Sequence, residues 1–310
     1  MTRASGRTAA WAELLRISAL ATVPGDALAG AAAAGLRPNR STLLAIGSSL
    51  CLYEAGMALN DWADRAEDAV DRPHRPLPSG RITPRAALGA AALLTAAGLT
   101  LAARAGRPSL ATATALTATV WSYDLHLKHT PAAPATMATA RALNLLLGTV
   151  ATSTSPSAPG PRRARPRAAA WQAAAAVGAH TYAVTSVSRH ETQGGSTRTP
   201  LLALATTLAL AAALTARRPS TGAARLAPAV GTLVTAALAT SYARTPATPL
   251  LHAALNPSPP LTQRSVGAGI RALIPLQATL AARAGAPGTA LLVLGLAPLA
   301  RALARKVSPT

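Results

Sequence analysis

Long apolar segments recur along the whole of this 310-residue chain and constrain its fold more than any other feature. A helix that crosses lipid needs about 20 predominantly apolar residues, because the hydrocarbon core of a bilayer is about 30 Å thick. Segments of about that length lie at residues 14–35, 42–60, 85–103, 108–124, 133–153, 168–187, 199–216, 224–243, 265–283 and 286–304. They predict an all-α integral membrane protein, a bundle of about nine (eight to ten) transmembrane helices in a single domain over residues 1–310.

The charged residues favour a membrane protein over one that binds nucleic acid. Only 13% of the residues are charged, whereas about 25% is usual in soluble domains. The net charge of +20 comes mostly from arginines in short loops, so membrane lipid headgroups are the expected partner and nucleic acid is not. A small excess of basic residues on the N-terminal side predicts a multi-pass protein of the cell membrane with the 60–85 loop in the cytoplasm. The residues that weaken this excess are Arg162, Arg163, Arg165 and Arg167.

An acidic cluster follows the second apolar segment directly. Residues 60–71 hold five of the ten acidic residues of the chain. Four of them, at i, i+3, i+7 and i+10, are Asp61, Asp64, Asp68 and Asp71. If the helix continues through them they share one face and repel, and Mg²⁺ would relieve that repulsion because it binds carboxylates together with substrate phosphates. The alternative is an ordinary charged helix end, in which Arg65 pairs with Asp61 and Arg72 with Asp68.

A basic, proline-rich segment comes next, at residues 72–81. Proline fixes φ, so we expect this segment to be extended and to present Arg72, Arg75 and Arg81 on a stiff loop. Guanidinium groups match phosphate oxygens with paired hydrogen bonds. Carboxylates for a metal beside arginines for phosphate predict a site for a metal-bridged diphosphate.

These residues resemble a known family. Asn60-Asp61-x-x-Asp64-x-x-x-Asp68, followed by Arg72-Pro73-x-Arg75-Pro76-Leu77-Pro78-Ser79-Gly80, resembles the first aspartate-rich motif of the UbiA superfamily of intramembrane prenyltransferases. Tyr123-x-x-x-Leu127-Lys128 resembles the segment with Tyr and Lys that follows the fourth helix in that family. The resemblance implies helices around a central cavity and Mg²⁺-dependent transfer of a prenyl group from a prenyl diphosphate to an acceptor in the membrane. The sequence does not identify the acceptor.

Residue roles follow from the resemblance. Asp61, Asp64 and Asp68 are expected to hold Mg²⁺ and, with Arg75 and Glu191, to form the catalytic group. The expected substrate-binding residues are Asn60, Arg72, Tyr123, Lys128 and Arg189, together with Arg141, Asn144 and His180, which are selected as polar residues inside apolar segments. Lys128 and Arg16 each lie near the end of an apolar segment, so the role of either side chain could instead be to reach a lipid headgroup.

Polar residues inside the apolar segments are the other candidates, because ionisable groups at membrane depth usually face a cavity or a partner. Arg141 and Asn144 lie one helical turn apart and are predicted to line the cavity. Alternatively, Asp26 forms a structural ion pair with Arg141 or with Arg271. His180 is either a packed, hydrogen-bonded residue or a substrate contact.

The second aspartate-rich motif of the family is reduced in this chain. The corresponding loop, residues 186–195, lacks the expected pair of aspartates, and Arg189 and Glu191 stand in for the family's arginine and acid. Together with Pro24-Gly25-Asp26, this loop resembles the EboC-like branch of the superfamily. It also leaves open an alternative function, a non-catalytic membrane protein that serves transport or export of a specialised metabolite.

Overall fold

The computed structural model describes residues 3–155, 167–216 and 228–298, and these residues form helices and connecting loops without any strand. The first six α-helices are α1 (Arg3–Leu14), α2 (Val23–Ala33), α3 (Arg40–Ala63), α4 (Arg65–Asp71), α5 (Pro84–Ala105) and α6 (Arg107–Ser122). The others are α7 (Ala133–Ser153), α8 (Arg167–Ser188), α9 (Arg198–Thr215), α10 (Pro228–Leu255), α11 (Pro259–Arg283) and α12 (Pro287–Leu294). A 3-10 helix (Ile17–Thr22) precedes α2, and a π-helix (Tyr123–Leu127) follows α6.

Where the structure describes them, the predicted apolar segments are helical, which confirms the all-α membrane fold. The first segment, 14–35, is divided between the end of α1, the 3-10 helix and α2. Among the described helices, α3, α5, α9 and α11 are long and apolar enough by composition to cross a membrane on their own. Large apolar side chains on the outer faces of the bundle are exposed, as at Leu93, Leu202 and Leu233. A lipid-facing surface accounts for this exposure, because water would not favour it.

Some predicted boundaries were wrong, and others lie outside the described residues. The eighth segment was predicted to end at residue 243, but α10 continues to Leu255 through Pro246 and Pro249. Proline is tolerated in a membrane helix because neighbouring groups satisfy the freed backbone carbonyl. Three ranges lie outside the described residues. Residues 217–227 include the predicted start of this segment, residues 299–310 include the end of the tenth segment, and residues 156–166 include the arginines at 162, 163 and 165.

Local sequence signals start the two helices that flank the acidic cluster. At α3, Asn39 Oδ1 accepts a hydrogen bond from the backbone N–H of Thr42 at 3.1 Å, and Thr42 Oγ1 accepts one from the N–H of Asn39 at 2.9 Å. This reciprocal capping satisfies two N–H groups that have no partner within the helix. At α5, Thr83 caps the helix and Pro84 occupies the first turn, where the missing N–H of proline has no cost.

Two glycines bring α2 and α7 into backbone contact. A Cβ atom at Gly148 would lie 2.2 Å from the Cα atom of Ala27, and one at Gly30 would lie 2.2 Å from the carbonyl oxygen of Leu145. Small residues allow such close packing between membrane helices, where association depends on fit. The contact fixes the polar residues of α2 beside those of α7 in the centre of the bundle.

Candidate functional site

The acidic cluster is divided between two helices. α3 ends at Ala63 and α4 begins at Arg65, so Asp64 lies at the junction. The prediction of one continuous helical face is therefore wrong. Asp61 and Asp68 are buried, whereas Asp71 is exposed.

Three arginines neutralise the two buried aspartates. Arg75 donates a 2.7 Å hydrogen bond to Asp68 Oδ2, and the same nitrogen lies 3.7 Å from Asp61 Oδ1. Arg16 Nη2 lies 3.3 Å from Asp61 Oδ1, and Arg72 Nη1 lies 3.5 Å from Asp68 Oδ1. A ring of guanidinium groups therefore surrounds the carboxylates, which leaves positive charge available for phosphate oxygens.

The loop after α4 is compact, contrary to the prediction of an extended segment. Leu77 and Ile82 are buried in an apolar cluster beneath α1, α3 and α5, and burial of these side chains draws the loop onto the bundle. Gly80 permits the turn with a φ of +72°. Arg81 donates to Glu13 of α1 at 2.7 Å and so fixes the loop from outside. The buried side chains and the Arg81–Glu13 contact fix the loop to the bundle, which positions Arg75 over Asp68.

Asp64 faces a different set of partners. Its Oδ1 atom contacts the ammonium group of Lys128 and lies 3.9 Å from His129 Nε2. The same His129 nitrogen lies 3.8 Å from Glu67 Oε2. Among the described residues, Asp64, Glu67 and His129 form a group whose possible metal-ligating atoms all lie within 4.8 Å of one another. Sequence reasoning missed this group because His129 is distant in the chain.

The donor set suits Mg²⁺ that arrives with a diphosphate. Asp61 and Asp68 meet at Arg75, while Asp64 points to Lys128, so the three carboxylates do not form a closed cage. Mg²⁺ usually keeps several waters and is held by one or two carboxylates plus substrate phosphates. An open set of three carboxylates, two of them buried, beside arginines matches that requirement.

A π-helical turn after α6 brings Asp124 to the same end of the bundle. Asp124 Oδ1 accepts a 3.2 Å hydrogen bond from Asn60 Nδ2. Burial raises the pKa of Asp124 to about 7, against the opposing effects of this hydrogen bond and of Lys128. π-Helical turns are rare and are frequent at functional sites. The sequence interpretation passed over Asp124, although its neighbour Tyr123 was selected; an acid in a chain with few acids was the available signal.

A cavity of about 400 Å³ opens beside these residues and extends into the bundle. At the acidic end its wall includes Arg16, Asn60, Tyr123, Asp124 and Glu191. Further in, its wall is mainly apolar and includes Leu52, Leu116, Val120, Val266, Ile270 and Leu273. Arg16, Asp124 and Glu191 therefore place charge at one end of a mainly apolar cavity.

Glu191 is half-buried in the cavity wall, as the sequence interpretation requires of a residue that replaces the second motif. Burial raises the pKa of Glu191, and Arg72 and Arg16 act in the opposite direction. Arg189 does not line the cavity: its Nη1 atom donates to the carbonyl oxygen of Thr130 at 2.7 Å. The loop therefore contributes its acid to the site and its arginine to a neighbouring loop.

A buried polar network stands behind the cavity wall. Arg141 Nε lies 2.8 Å from Asp26 Oδ2, and Arg141 Nη2 donates to the carbonyl oxygen of Thr22 at 2.9 Å. Asn144 Nδ2 and Gln277 Nε2 donate to the two oxygens of Asp26 at 2.8 and 2.7 Å. Of the two alternatives for Asp26, the partner is Arg141. Arg141 and Asn144 also line the cavity, so the network that contains the ion pair forms part of the cavity wall.

His180 lines the cavity with both ring nitrogens occupied. Nε2 lies 2.9 Å from the carbonyl oxygen of Gly269, which can only accept, so this nitrogen carries the proton. Nδ1 lies 3.0 Å from the Tyr242 hydroxyl and accepts from it. His180 therefore links α8, α10 and α11 and presents carbon atoms to the cavity, which corresponds to the packed alternative.

Arg16 is the functional candidate that sequence reasoning undervalued. Its backbone has φ 47° and ψ 47°, a left-handed conformation that is uncommon outside glycine and is often found where function requires strain. That conformation turns the chain between α1 and the 3-10 helix and directs the guanidinium group to Asp61. A position near a segment end gave no sign of this pairing.

Comparison with known proteins gives both a family and a fold. The family model described as the UbiA prenyltransferase family matches residues 19–255. The digeranylgeranylglyceryl phosphate synthase of Methanopyrus kandleri is 36% identical over 115 residues, 37% of this chain and 41% of the relative. That of Ignicoccus hospitalis is 35% identical over 153 residues, 48% of this chain and 50% of the relative. The chain thus spans half or less of these curated relatives.

Solved structures share the fold over most of the chain. A UbiA homolog from Aeropyrum pernix K1 has a TM-score of 0.58 at 19% identity, over 81% of this chain and 96% of that structure. A UbiA homolog from Archaeoglobus fulgidus bound to GPP and Mg²⁺ has a TM-score of 0.56 at 17% identity, over 90% and 99%.

Proposed function

Because the chain belongs to the UbiA prenyltransferase family, we propose that it transfers a prenyl group from a prenyl diphosphate to an acceptor lipid within the membrane, with Mg²⁺ as cofactor. One observation supports this proposal above the others. Asn60, beside the acidic cluster, and Arg16, which pairs with Asp61, stand at the charged end of a mainly apolar cavity. A prenyl diphosphate has the same division, with a charged head and an apolar tail.

The charged head would bind among the residues around α4. Asp61, Asp64 and Asp68 would hold Mg²⁺ and, through it, the diphosphate. Arg16, Asn60, Arg72, Arg75 and Lys128 are the side chains available to phosphate oxygens. Arginine forks suit this task because they bind two oxygens at once.

The prenyl tail would lie against the apolar wall formed by residues such as Leu52, Leu116 and Leu273. When bound, Mg²⁺ neutralises the charge that develops on the leaving diphosphate. The arginines stabilise the same charge from fixed positions, and the apolar wall keeps water from the reacting carbon. Arg16 and Arg75 already stand beside the buried aspartates, so little rearrangement is required.

The acceptor is proposed from the relatives. Their name describes a glyceryl phosphate with two geranylgeranyl groups, so the proposed acceptor is a lipid of the glyceryl phosphate type with a free hydroxyl group.

We further propose that the chain belongs to the EboC-like branch and that the 60–85 loop lies on the cytoplasmic side of the cell membrane. The reduced 186–195 loop supports the first, and the distribution of basic residues supports the second.

Mass spectrometry of lipid products tests the proposed function. The purified protein is incubated with Mg²⁺, geranyl, farnesyl or geranylgeranyl diphosphate, and a membrane lipid extract. We expect a new prenylated lipid and an equal amount of pyrophosphate. Binding of the diphosphates without product or pyrophosphate would instead favour the non-catalytic carrier.

A further inference from the structure

Asp124 differs from the other buried aspartates in its lack of a cationic partner. The buried aspartates among the described residues are Asp26, Asp61, Asp68 and Asp124. Their nearest cations are Arg141 for Asp26, Arg16 for Asp61 and Arg75 for Asp68. Asp124 is only 4% exposed, yet within the described ranges no Lys, Arg or His nitrogen lies within 4.0 Å of its carboxylate. A buried carboxylate without a cation is costly to stability, so its presence calls for a function.

One oxygen of this carboxylate remains open to the cavity. Oδ1 accepts the hydrogen bond from Asn60 Nδ2 at 3.2 Å, and no described side chain donates to Oδ2. A Cβ atom at Gly56 would lie 2.9 Å from Val120 Cγ1 and 4.0 Å from Oδ2, so the missing side chain of Gly56 accommodates Val120 beside the carboxylate. Gly56, Asn60 and Asp124 all line the cavity. Because Asp124 is part of the cavity wall and no described side chain donates to Oδ2, an acceptor group in the cavity can approach Oδ2.

We propose that Asp124 is the catalytic base that accepts the proton of the acceptor's hydroxyl group at Oδ2. This proposal rests on the proposed function. In the step, an oxygen lone pair of the acceptor forms a bond to C1 of the prenyl group. The bond from C1 to the diphosphate oxygen breaks, and the diphosphate leaves with the electron pair. The hydroxyl proton moves to Asp124, which later releases it to water.

The environment of Asp124 suits proton exchange near neutral pH. Burial raises its pKa to about 7, and a base is most effective when its pKa is near the working pH. The charged groups that act on it are Arg16 from the segment before the 3-10 helix, Asp64 from the end of α3, and Lys128 from the end of the π-helical turn. The hydrogen bond from Asn60 fixes Oδ1, so that Oδ2 keeps one orientation.

Asp124→Asn and Asp124→Glu test the proposal against Asp71→Asn, which removes a carboxylate from an exposed position of α4. Each full-length protein in detergent is assayed for Mg²⁺-dependent binding of geranylgeranyl diphosphate. Transfer to the membrane lipid that the wild type prenylates is then measured from pH 5 to 9. We expect Asp124→Asn to bind normally but to transfer about 10²-fold more slowly or worse. Its transfer rate should also no longer fall at low pH, whereas the rates of wild type, Asp124→Glu and Asp71→Asn should still fall there.

The outcomes separate the two proposals. Transfer by Asp124→Asn at the wild-type rate and with the wild-type pH profile would overturn the role of Asp124 and leave the proposed function intact. Loss of diphosphate binding in Asp124→Asn would also overturn it, because Asp124 would then belong to the diphosphate site. Absence of transfer by the wild type would overturn both.

Discussion

Arg75 donates a 2.7 Å hydrogen bond to Asp68 and thereby ties the proline-rich loop to the acidic helix before it. The same guanidinium nitrogen lies 3.7 Å from Asp61, on the preceding helix. One arginine thus joins both buried aspartates of the motif. The arginine and aspartate parts of the motif therefore fix each other where α3 meets α4.

Replacing Arg75 with lysine is expected to weaken Mg²⁺-dependent binding of geranylgeranyl diphosphate by about tenfold or more. Lysine keeps the charge but cannot form the paired hydrogen bonds of a guanidinium fork. Isothermal titration in detergent measures the change, and Arg85→Lys on the exposed start of α5 is the matched control. Equal affinities for the two variants would show that Arg75 does not contact the diphosphate.

The ion pair between Asp26 and Arg141 predicts a large effect on stability. Asp26→Ala leaves Arg141, Asn144 and Gln277 without their shared acceptor. Removal of one partner from a buried pair costs about 3–5 kcal/mol in the free energy of unfolding. We therefore expect a clear fall in the thermal unfolding midpoint in detergent. Asp71→Asn should leave the midpoint unchanged, and a midpoint for Asp26→Ala equal to that of Asp71→Asn would contradict the prediction.

The contact between α2 and α7 predicts opposite effects of two similar substitutions. Gly148→Ala places a Cβ atom 2.2 Å from the Cα atom of Ala27, so the helices must separate, at a cost of about 1–3 kcal/mol. Gly89→Ala in α5 meets nothing within 4 Å and should stabilise its helix by up to about 1 kcal/mol. Thermal unfolding of both proteins checks the sign, and an unchanged midpoint for Gly148→Ala would mean that the helices do not pack this closely.

Glu191 predicts a specific change in metal dependence. Glu191 lies in the cavity wall, and we propose that it takes the place of the acids of the second motif. Glu191→Gln should therefore raise the Mg²⁺ concentration for half-maximal diphosphate binding by about tenfold, the lower end of the range for loss of an outer-sphere group. The measurement is a Mg²⁺ titration at fixed geranylgeranyl diphosphate, with Asp71→Asn for comparison. An unchanged Mg²⁺ midpoint would assign Glu191 a structural role.

Much of the fold was predictable, because apolar segments of membrane length read directly as helices. The end of α10 was not, since Pro246 and Pro249 are stop signals in water but are accommodated within a bundle. The break between α3 and α4 at Asp64 was not predictable either, because an argument from helical spacing assumes a straight helix. Both errors have the same origin: tertiary contacts decide where a helix bends or continues.

The candidate site was partly predictable for a related reason. Contacts within one segment, such as Arg72 with Asp68, follow from sequence spacing. Contacts between distant segments do not, and these include Arg16 with Asp61 and Asp124 with Asn60. Asp124 lies between Tyr123 and Lys128, which were both predicted to bind substrate, so the scarcity of acids in the chain could have identified it.

Mg²⁺-dependent binding of geranylgeranyl diphosphate to Asp61→Asn, compared with the wild type and Asp71→Asn, tests the diphosphate site most directly. Titrations with and without EDTA are made on proteins whose thermal unfolding shows that they are folded. We expect wild type and Asp71→Asn to bind only with Mg²⁺, and Asp61→Asn to lose that dependence together with most of its affinity. Wild-type affinity and Mg²⁺ dependence in a folded Asp61→Asn protein would contradict the assignment of the acidic cluster as the diphosphate site.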